Sequence, residues 1–213
     1  MTVPPPKDLI VLVADSNMKA TVEALLVRTE ALGIRPIEVD VFSHPRKDPG
    51  CRINSCGFLA SFQRMYSFAL VMFDHDGSGA ESKPASQIEA ELVEQLEISG
   101  WVQRCNVVVV VPELEAWVWS PSKRVDDICG WSGSIPSLRD WVADRFAIRE
   151  DGKPQMPKES LEAALQEKRK VRSSALLREI AKSVSWRGCT DIAFQKFCQL
   201  LQNWFPSTVD SKD

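Results

Sequence analysis

Carboxylate side chains follow three apolar runs of the sequence. Asp15 closes the run "DLIVLVAD", Asp74 and Asp76 follow "SFALVMF", and Glu113 and Glu115 follow five consecutive valines and a proline. Residues i and i+2 of an extended chain project to the same side, so each pair of acids can share one hard cation. Like charges at this spacing repel one another unless a cation offsets them. We therefore predict that Asp74, Asp76, Glu113 and Glu115 bind Mg²⁺ or Mn²⁺, the ions that suit ligation by oxygen alone.

Each acid also has an ordinary structural interpretation. Asp15 precedes Ser16 and Asn17, and any of the three is a good N-cap for a following helix. An Asp-x-Asp-Gly segment after a strand is common turn chemistry. An acid after Pro112 can stabilise the start of a helix through its dipole. His75 lies between two aspartates in an extended segment and is expected to point away from them.

Four apolar runs predict strands, and the segments between them predict helices. The strands are expected at 8–15, 34–42, 67–74 and 106–111, and the helices at 16–33, 58–66 and 82–100. Residues 43–57 are rich in Pro, Gly, Ser and Asn and predict a loop. Such alternation predicts an α/β fold, with a mostly parallel central sheet flanked by helices. Ligands of such sheets bind beyond the carboxyl ends of the strands, where the acids would meet.

The C-terminal third of the chain predicts helices only. Strand signals end after Trp119, and four segments with helical periodicity follow, at 135–146, 157–171, 173–184 and 191–205. We predict one domain over residues 1–205, in which 8–119 form the sheet core and 120–205 a helical flank. Residues 206–213 are predicted to be a disordered tail.

Composition excludes several classes of protein. The 213 residues are 44% hydrophobic and 26% charged, with a net charge of −3, which is typical of a globular protein. No apolar run approaches the roughly 20 residues that cross a bilayer, so we expect no membrane association and a cytoplasmic protein. The six cysteines include no C-x-x-C pair and predict free thiols. His44, Cys51 and Cys56 could in principle supply three zinc ligands, at a spacing that matches structural zinc sites poorly.

Charge is unevenly distributed along the chain. Residues 157–188 carry eight basic side chains against four acidic ones, and the segment "EKRKVR" concentrates them. This segment predicts a phosphate-contacting, nucleic-acid-binding surface formed by Lys168, Arg169, Lys170 and Arg172. The alternative is that these bases favour the helix C-terminus and are solvated. Trp117 and Trp119, near the acids, could likewise stack on a base or pack in the core.

Three stretches carry a resemblance to a known family. They are "IVLVADSNMKATVEALL", "LVMFDHDGSG" and "VVVVVPELEAWVWS", and the final helix "DIAFQKFCQLLQNWF" extends the likeness. The chain resembles Toprim-like proteins, which share the catalytic fold of topoisomerases, primases and OLD-family nucleases. It looks like a member of a Toprim-related group of small bacterial proteins that are often linked to phage defence.

The resemblance implies specific roles for some of the acids. Asp74 and Asp76 match the metal-binding D-x-D positions of the family, and Glu115 matches the glutamate of its E-x-W element. The family places a catalytic glutamate at the end of the first strand, where this chain has Ala14 followed by Asp15. Asp15 could replace the missing acid, although a shift of one residue along a strand turns the side chain to the other face.

Two main functions remain open from the sequence. The first is a metal-dependent nuclease that hydrolyses phosphodiesters, with Asp15 and Glu115 as catalytic residues and DNA or RNA as substrate. The second is a catalytically degenerate subunit that binds nucleic acid or other proteins of a multi-component defence system. A nucleotide-binding, doubly wound domain is a third reading, weakened because no G-x-G-x-x-G or P-loop sequence follows a strand.

Overall fold

A four-stranded parallel sheet forms the centre of the protein. The computed structural model describes residues 5–120, 122–185 and 189–207. The strands are β1 (Lys7–Val13), β2 (Val39–Ser43), β3 (Tyr66–Asp74) and β4 (Cys105–Val110). Their order in the sheet is β2-β1-β3-β4, and every neighbouring pair is parallel. The predicted α/β fold with a parallel central sheet is confirmed.

Helices connect the strands and make up the C-terminal part of the described chain. The α-helices are α1 (Ser16–Leu26), α2 (Thr29–Leu32), α3 (Lys47–Leu59), α4 (Ala85–Leu96), α5 (Lys123–Cys129), α6 (Leu138–Ala143), α7 (Pro157–Glu167), α8 (Ser174–Ser183) and α9 (Ile192–Trp204). Short 3₁₀ turns span Ala60–Phe62 and Leu114–Trp117, and a π-helical turn spans Glu97–Trp101. None of the described helices has the length and apolarity that crossing a membrane requires.

The continuous apolar runs form strands because helices cover the sheet. Residues 9–13 of β1 and 69–73 of β3 are fully buried, which is typical of parallel strands packed on both faces. The apolar cluster around them continues into the C-terminal helices through side chains such as Leu161, Leu177 and Phe197. The helical flank therefore packs onto the same core as the sheet.

The predicted loop at 43–57 was wrong, since α3 begins at Lys47. Pro49 lies in the first turn of α3, where a helix tolerates proline because the amide is not needed for an intrahelical hydrogen bond. Gly50 lets this turn approach His44, because a Cβ atom at position 50 would lie 2.1 Å from His44 Nδ1. Tertiary packing has therefore overridden a composition that is typical of loops.

The predicted helix at 58–66 was also wrong, since α3 ends at Leu59, a 3₁₀ turn follows at Ala60–Phe62 and β3 begins at Tyr66. Other element boundaries differ from those predicted. The expected helix at 16–33 is divided into α1 and α2, and Gly33 ends α2 in the left-handed conformation, with φ of 71°. At the other end of the chain, Pro206 forms an isolated antiparallel bridge with Ile34. Of the predicted disordered tail at 206–213, residues 208–213 lie outside the described residues.

Candidate functional site

The carboxylate of Asp74 stands at the end of β3 and fastens the turn after β4. Leu114 N donates a hydrogen bond to Asp74 Oδ1 at 2.9 Å. Asp74 N donates in turn to Asp48 Oδ1, also at 2.9 Å. Because β3 lies between β1 and β4, its final carboxylate is central along the carboxyl edge of the sheet.

Asp48 belongs to the site, although the sequence analysis did not identify it. It lies in the first turn of α3, just beyond the end of β2, and it is partly buried. Burial is the largest cause that raises the pKa of Asp48, and the charge of Asp15 adds to it. The available signal was the rule that every parallel strand delivers its carboxyl end to the same edge. Applied to β2, that rule points to the first acid after the strand.

Asp74 is the acid most strongly perturbed by its surroundings. Burial raises the pKa of Asp74 well above its ordinary value, and neighbouring negative charges raise it further. The carboxylates that contribute, in decreasing order, are Asp48, Glu115, Glu113 and Asp15. Together with Asp74 these four residues form what we call the acidic cluster. All four strand ends supply at least one member.

Asp15 is the N-cap of α1, as one interpretation of the sequence expected. Its Oδ1 accepts hydrogen bonds from Asn17 N and Met18 N, both at 2.9 Å. Ala14, which follows β1, is 2% exposed. The charge of Asp15 also raises the pKa of Asp74, while its Oδ1 caps α1.

Glu113 and Glu115 have different partners. Glu113 Oε1 accepts a hydrogen bond from Lys158 N at 2.8 Å, so it caps the start of α7 and not the turn that follows it in sequence. Burial is the main cause that raises the pKa of Glu113 to about 7, and Glu115 contributes as a negative neighbour. Glu115 is 1% exposed and forms an ion pair with Arg172 Nε.

Asp76 lies at the margin of this arrangement. Its side chain is 61% exposed, with His75 Nδ1 at 3.9 Å from Oδ1. Its backbone N donates to Pro112 O, and Gly77 follows with φ of 81° in the turn. Asp76 is absent from the charges that shift Asp74. Of the two acids in the D-x-D segment, only Asp74 therefore faces the acidic cluster.

The carboxylate oxygens of the acidic cluster are the ligand type that a hard cation prefers. Their side chains are not arranged as metal ligands in this structure. Among the described residues, no group of three or more His, Cys, Asp or Glu side chains has the spacing that would hold a metal ion. Within that same part of the chain, Glu115 alone of the five cluster members takes part in an ion pair. The cluster therefore offers only carboxylate oxygens, and much of its charge is not offset by a base.

Three of the four predicted nucleic-acid-binding bases have partners within the protein. Lys168 Nζ donates to Ser134 Oγ at 2.9 Å, Lys170 Nζ donates to Ile128 O at 2.6 Å, and Arg172 pairs with Glu115. Arg169 is exposed. Three of the four side chains thus tie the connection between α7 and α8 to its neighbours.

The two tryptophans near the acids lie in the core. Trp117 is 1% and Trp119 is 2% exposed. Trp117 Nε1 donates to Asp191 Oδ1 at 3.0 Å, and Trp119 Nε1 donates to Pro157 O at 2.9 Å. Both indoles are therefore packed and hydrogen-bonded, and neither presents a face on which a base could stack.

Comparisons with known proteins assign no family to this chain. No protein-family model, no curated protein and no solved structure gives a significant match.

Proposed function

We propose that the protein binds a divalent cation, Mg²⁺ or Mn²⁺, at the acidic cluster and hydrolyses phosphodiester bonds in DNA or RNA. The observation that carries the proposal is the position of Asp74 at the carboxyl edge of the sheet, where each of the four strands ends in or is followed by at least one carboxylate of the acidic cluster; the charges of the other four act on Asp74 and raise its pKa. Mutual repulsion of this kind costs folding free energy, which a bound cation offsets.

The chemistry of the residues assigns roles within the proposed site. Asp74 and Asp48 are the central ligands, because they are joined by the hydrogen bond from Asp74 N and share burial that raises the pKa of each. Glu113 and Glu115 are ligands that a cation would draw toward it by changes of side-chain rotamer. When bound, the ion would supply the positive charge that polarises a phosphodiester. The resemblance of the sequence to Toprim-like proteins favours this reaction and a place in phage defence.

The test is a calorimetric titration of Mg²⁺ and of Mn²⁺ into protein that has been treated with a chelator. We compare the wild type with Asp74→Asn, which keeps an oxygen to accept the hydrogen bond from Leu114 N and removes the charge. Asp144→Asn is the matched control, because Asp144 is exposed and outside the acidic cluster. We expect Asp74→Asn to weaken binding more than about tenfold, which corresponds to about 1.4 kcal/mol.

Nuclease assays on single-stranded and double-stranded DNA and RNA follow for any ion that binds. We expect cleavage by the wild type and by Asp144→Asn, and none by Asp74→Asn. Equal metal affinity in all three proteins would contradict the proposed site. Binding without cleavage of any substrate would leave the cation site in place and exclude hydrolysis.

A second candidate is a non-catalytic subunit that binds a protein or nucleic-acid partner. Two observations favour it: Ala14 is buried where the family has its glutamate, and Asp15 uses Oδ1 to cap α1. Absence of nuclease activity in the wild type would favour this second candidate. If the wild type is active, Asp15→Asn tests the role of Asp15, since asparagine caps a helix about as well as aspartate and removes only the charge. Nuclease activity that survives in Asp15→Asn would show that Asp15 has no catalytic role.

A further inference from the structure

We propose that Arg172 is an internal counter-cation of the acidic cluster, and that a divalent ion must displace its guanidinium to engage Glu115. This inference rests on the proposed function, because it concerns access to the same site. Arg172 is the basic residue paired with Glu115, the least exposed cluster member, and its own side chain is 18% exposed.

The connection between α7 and α8 directs Arg172 inward. Residues 170–173 lie between the two helices with no helical or strand structure. The partly buried Arg172 contacts Glu115, whereas Val171, the residue before it, is 79% exposed. The side chain of Arg172 therefore lies toward the acidic cluster, while that of its neighbour in sequence faces solvent.

Both ends of this connection are fixed, so displacement of Arg172 requires only a local change. On one side, Lys168 lies over the ring of Trp131 at 4.2 Å. On the other side, Ser174 Oγ lies 2.7 Å from Asn17 Oδ1, which joins the start of α8 to the start of α1. The guanidinium can therefore leave Glu115 while α7, α8 and the lysine anchors stay in place.

Arg172 also has a second partner, at the surface. Arg172 Nη1 lies 3.7 Å from Glu162 Oε1, and the side chain of Glu162 is 48% exposed. The guanidinium therefore contacts an inner carboxylate and an outer one at the same time. Once a cation holds Glu115, the guanidinium can remain paired with Glu162 in solvent without leaving its loop.

The test compares metal affinity in the wild type, Arg172→Gln and the control Glu162→Gln. Calorimetric titration with Mn²⁺ is expected to show about tenfold tighter binding to Arg172→Gln, because no pair with Glu115 then has to be broken. Glu162→Gln keeps the inner pair and removes the outer partner, so we expect its affinity to equal or fall below that of the wild type.

The outcomes separate this inference from the proposed function. Equal affinity of the wild type and Arg172→Gln, or weaker binding by the variant, overturns the inference and leaves the metal site in place. Binding by Arg172→Gln alone supports the inference and refutes a resident ion in the wild type. Absence of binding by every protein overturns both.

Hydrogen exchange on the wild type provides a test that does not depend on the variant folding. The Nε–H of Arg172 donates to Glu115 Oε1, so its exchange with solvent, followed by NMR, should be faster in the Mg²⁺-bound protein than in the metal-free one if the ion displaces the guanidinium. Backbone amides of α7 and α8 serve as internal controls and should be unchanged. Equal or slower exchange of the Arg172 Nε–H on metal binding would overturn the proposed displacement.

Discussion

Replacement of Asp74 by asparagine is expected to stabilise the metal-free protein. Burial and neighbouring carboxylates raise the pKa of Asp74 well above its ordinary value, so the folded protein resists ionisation of a group that ionises freely when unfolded. The destabilisation grows by about 1.4 kcal/mol for each pH unit above the unfolded pKa of about 3.9, until the folded pKa or the assay pH is reached. At pH 7 this destabilisation cannot exceed about 4 kcal/mol. We therefore expect Asp74→Asn to raise the free energy of unfolding by about 1 to 4 kcal/mol.

The sign of this effect reverses the usual result of changing a polar residue near the core. It also sets the pH dependence, because the gain is absent near pH 4 and increases as the pH rises toward neutrality. Urea unfolding in the presence of a chelator, at several pH values, measures it. Asp76→Asn is the control, since its exposed side chain should change stability by less than about 0.5 kcal/mol. An Asp74→Asn protein no more stable than the wild type at neutral pH would refute the electrostatic reasoning.

Three further predictions concern stability. Lys153→Met removes the Nζ that lies 2.9 Å from Asp191 Oδ2 and leaves Asp191 charged and almost fully buried. Urea unfolding should therefore show a loss of about 3–5 kcal/mol of stability. A loss below about 1 kcal/mol would contradict this prediction. Because burial raises the pKa of Glu113 to about 7, wild-type stability should fall as the pH rises from about 4.5 to 7. Glu113→Gln should remove the contribution of Glu113 to this loss of stability, which urea unfolding at several pH values measures. Lys168→Met should cost about 1 kcal/mol through loss of its contact with an indole ring, whereas Arg169→Met, at an exposed position, should leave the melting temperature unchanged.

The sheet was predictable from the sequence because its signal is local. A strand buried on both faces needs a continuous apolar run, and β1, β3 and β4 each have one. α3 has no such signal, because its first turn contains proline and glycine, and the close approach of Gly50 to His44 joins it to the end of β2. The error at α3 also concealed Asp48, since an acid in a loop has no predicted direction.

Contacts between distant parts of the chain explain what the sequence did not reveal about the site. The pair of Arg172 with Glu115 joins residues 57 positions apart, and no local pattern marks one base of a basic segment as partly buried and paired. The basic segment therefore predicted a surface for phosphate, whereas three of its four side chains hold the α7–α8 connection in place. Side-chain direction, which the sequence leaves open in a segment without regular structure, decides between those interpretations.

The structural and the functional interpretations of the acids apply to different members of the acidic cluster. Asp15 and Glu113 accept hydrogen bonds from the first turns of α1 and α7, so helix N-termini account for their positions. Glu115 forms an ion pair with Arg172. Asp48 and Asp74 have only backbone amides as hydrogen-bond donors among the described residues, and burial raises the pKa of each. A cation at the proposed site would therefore offset the charge of Asp48 and Asp74 more than that of the other three members.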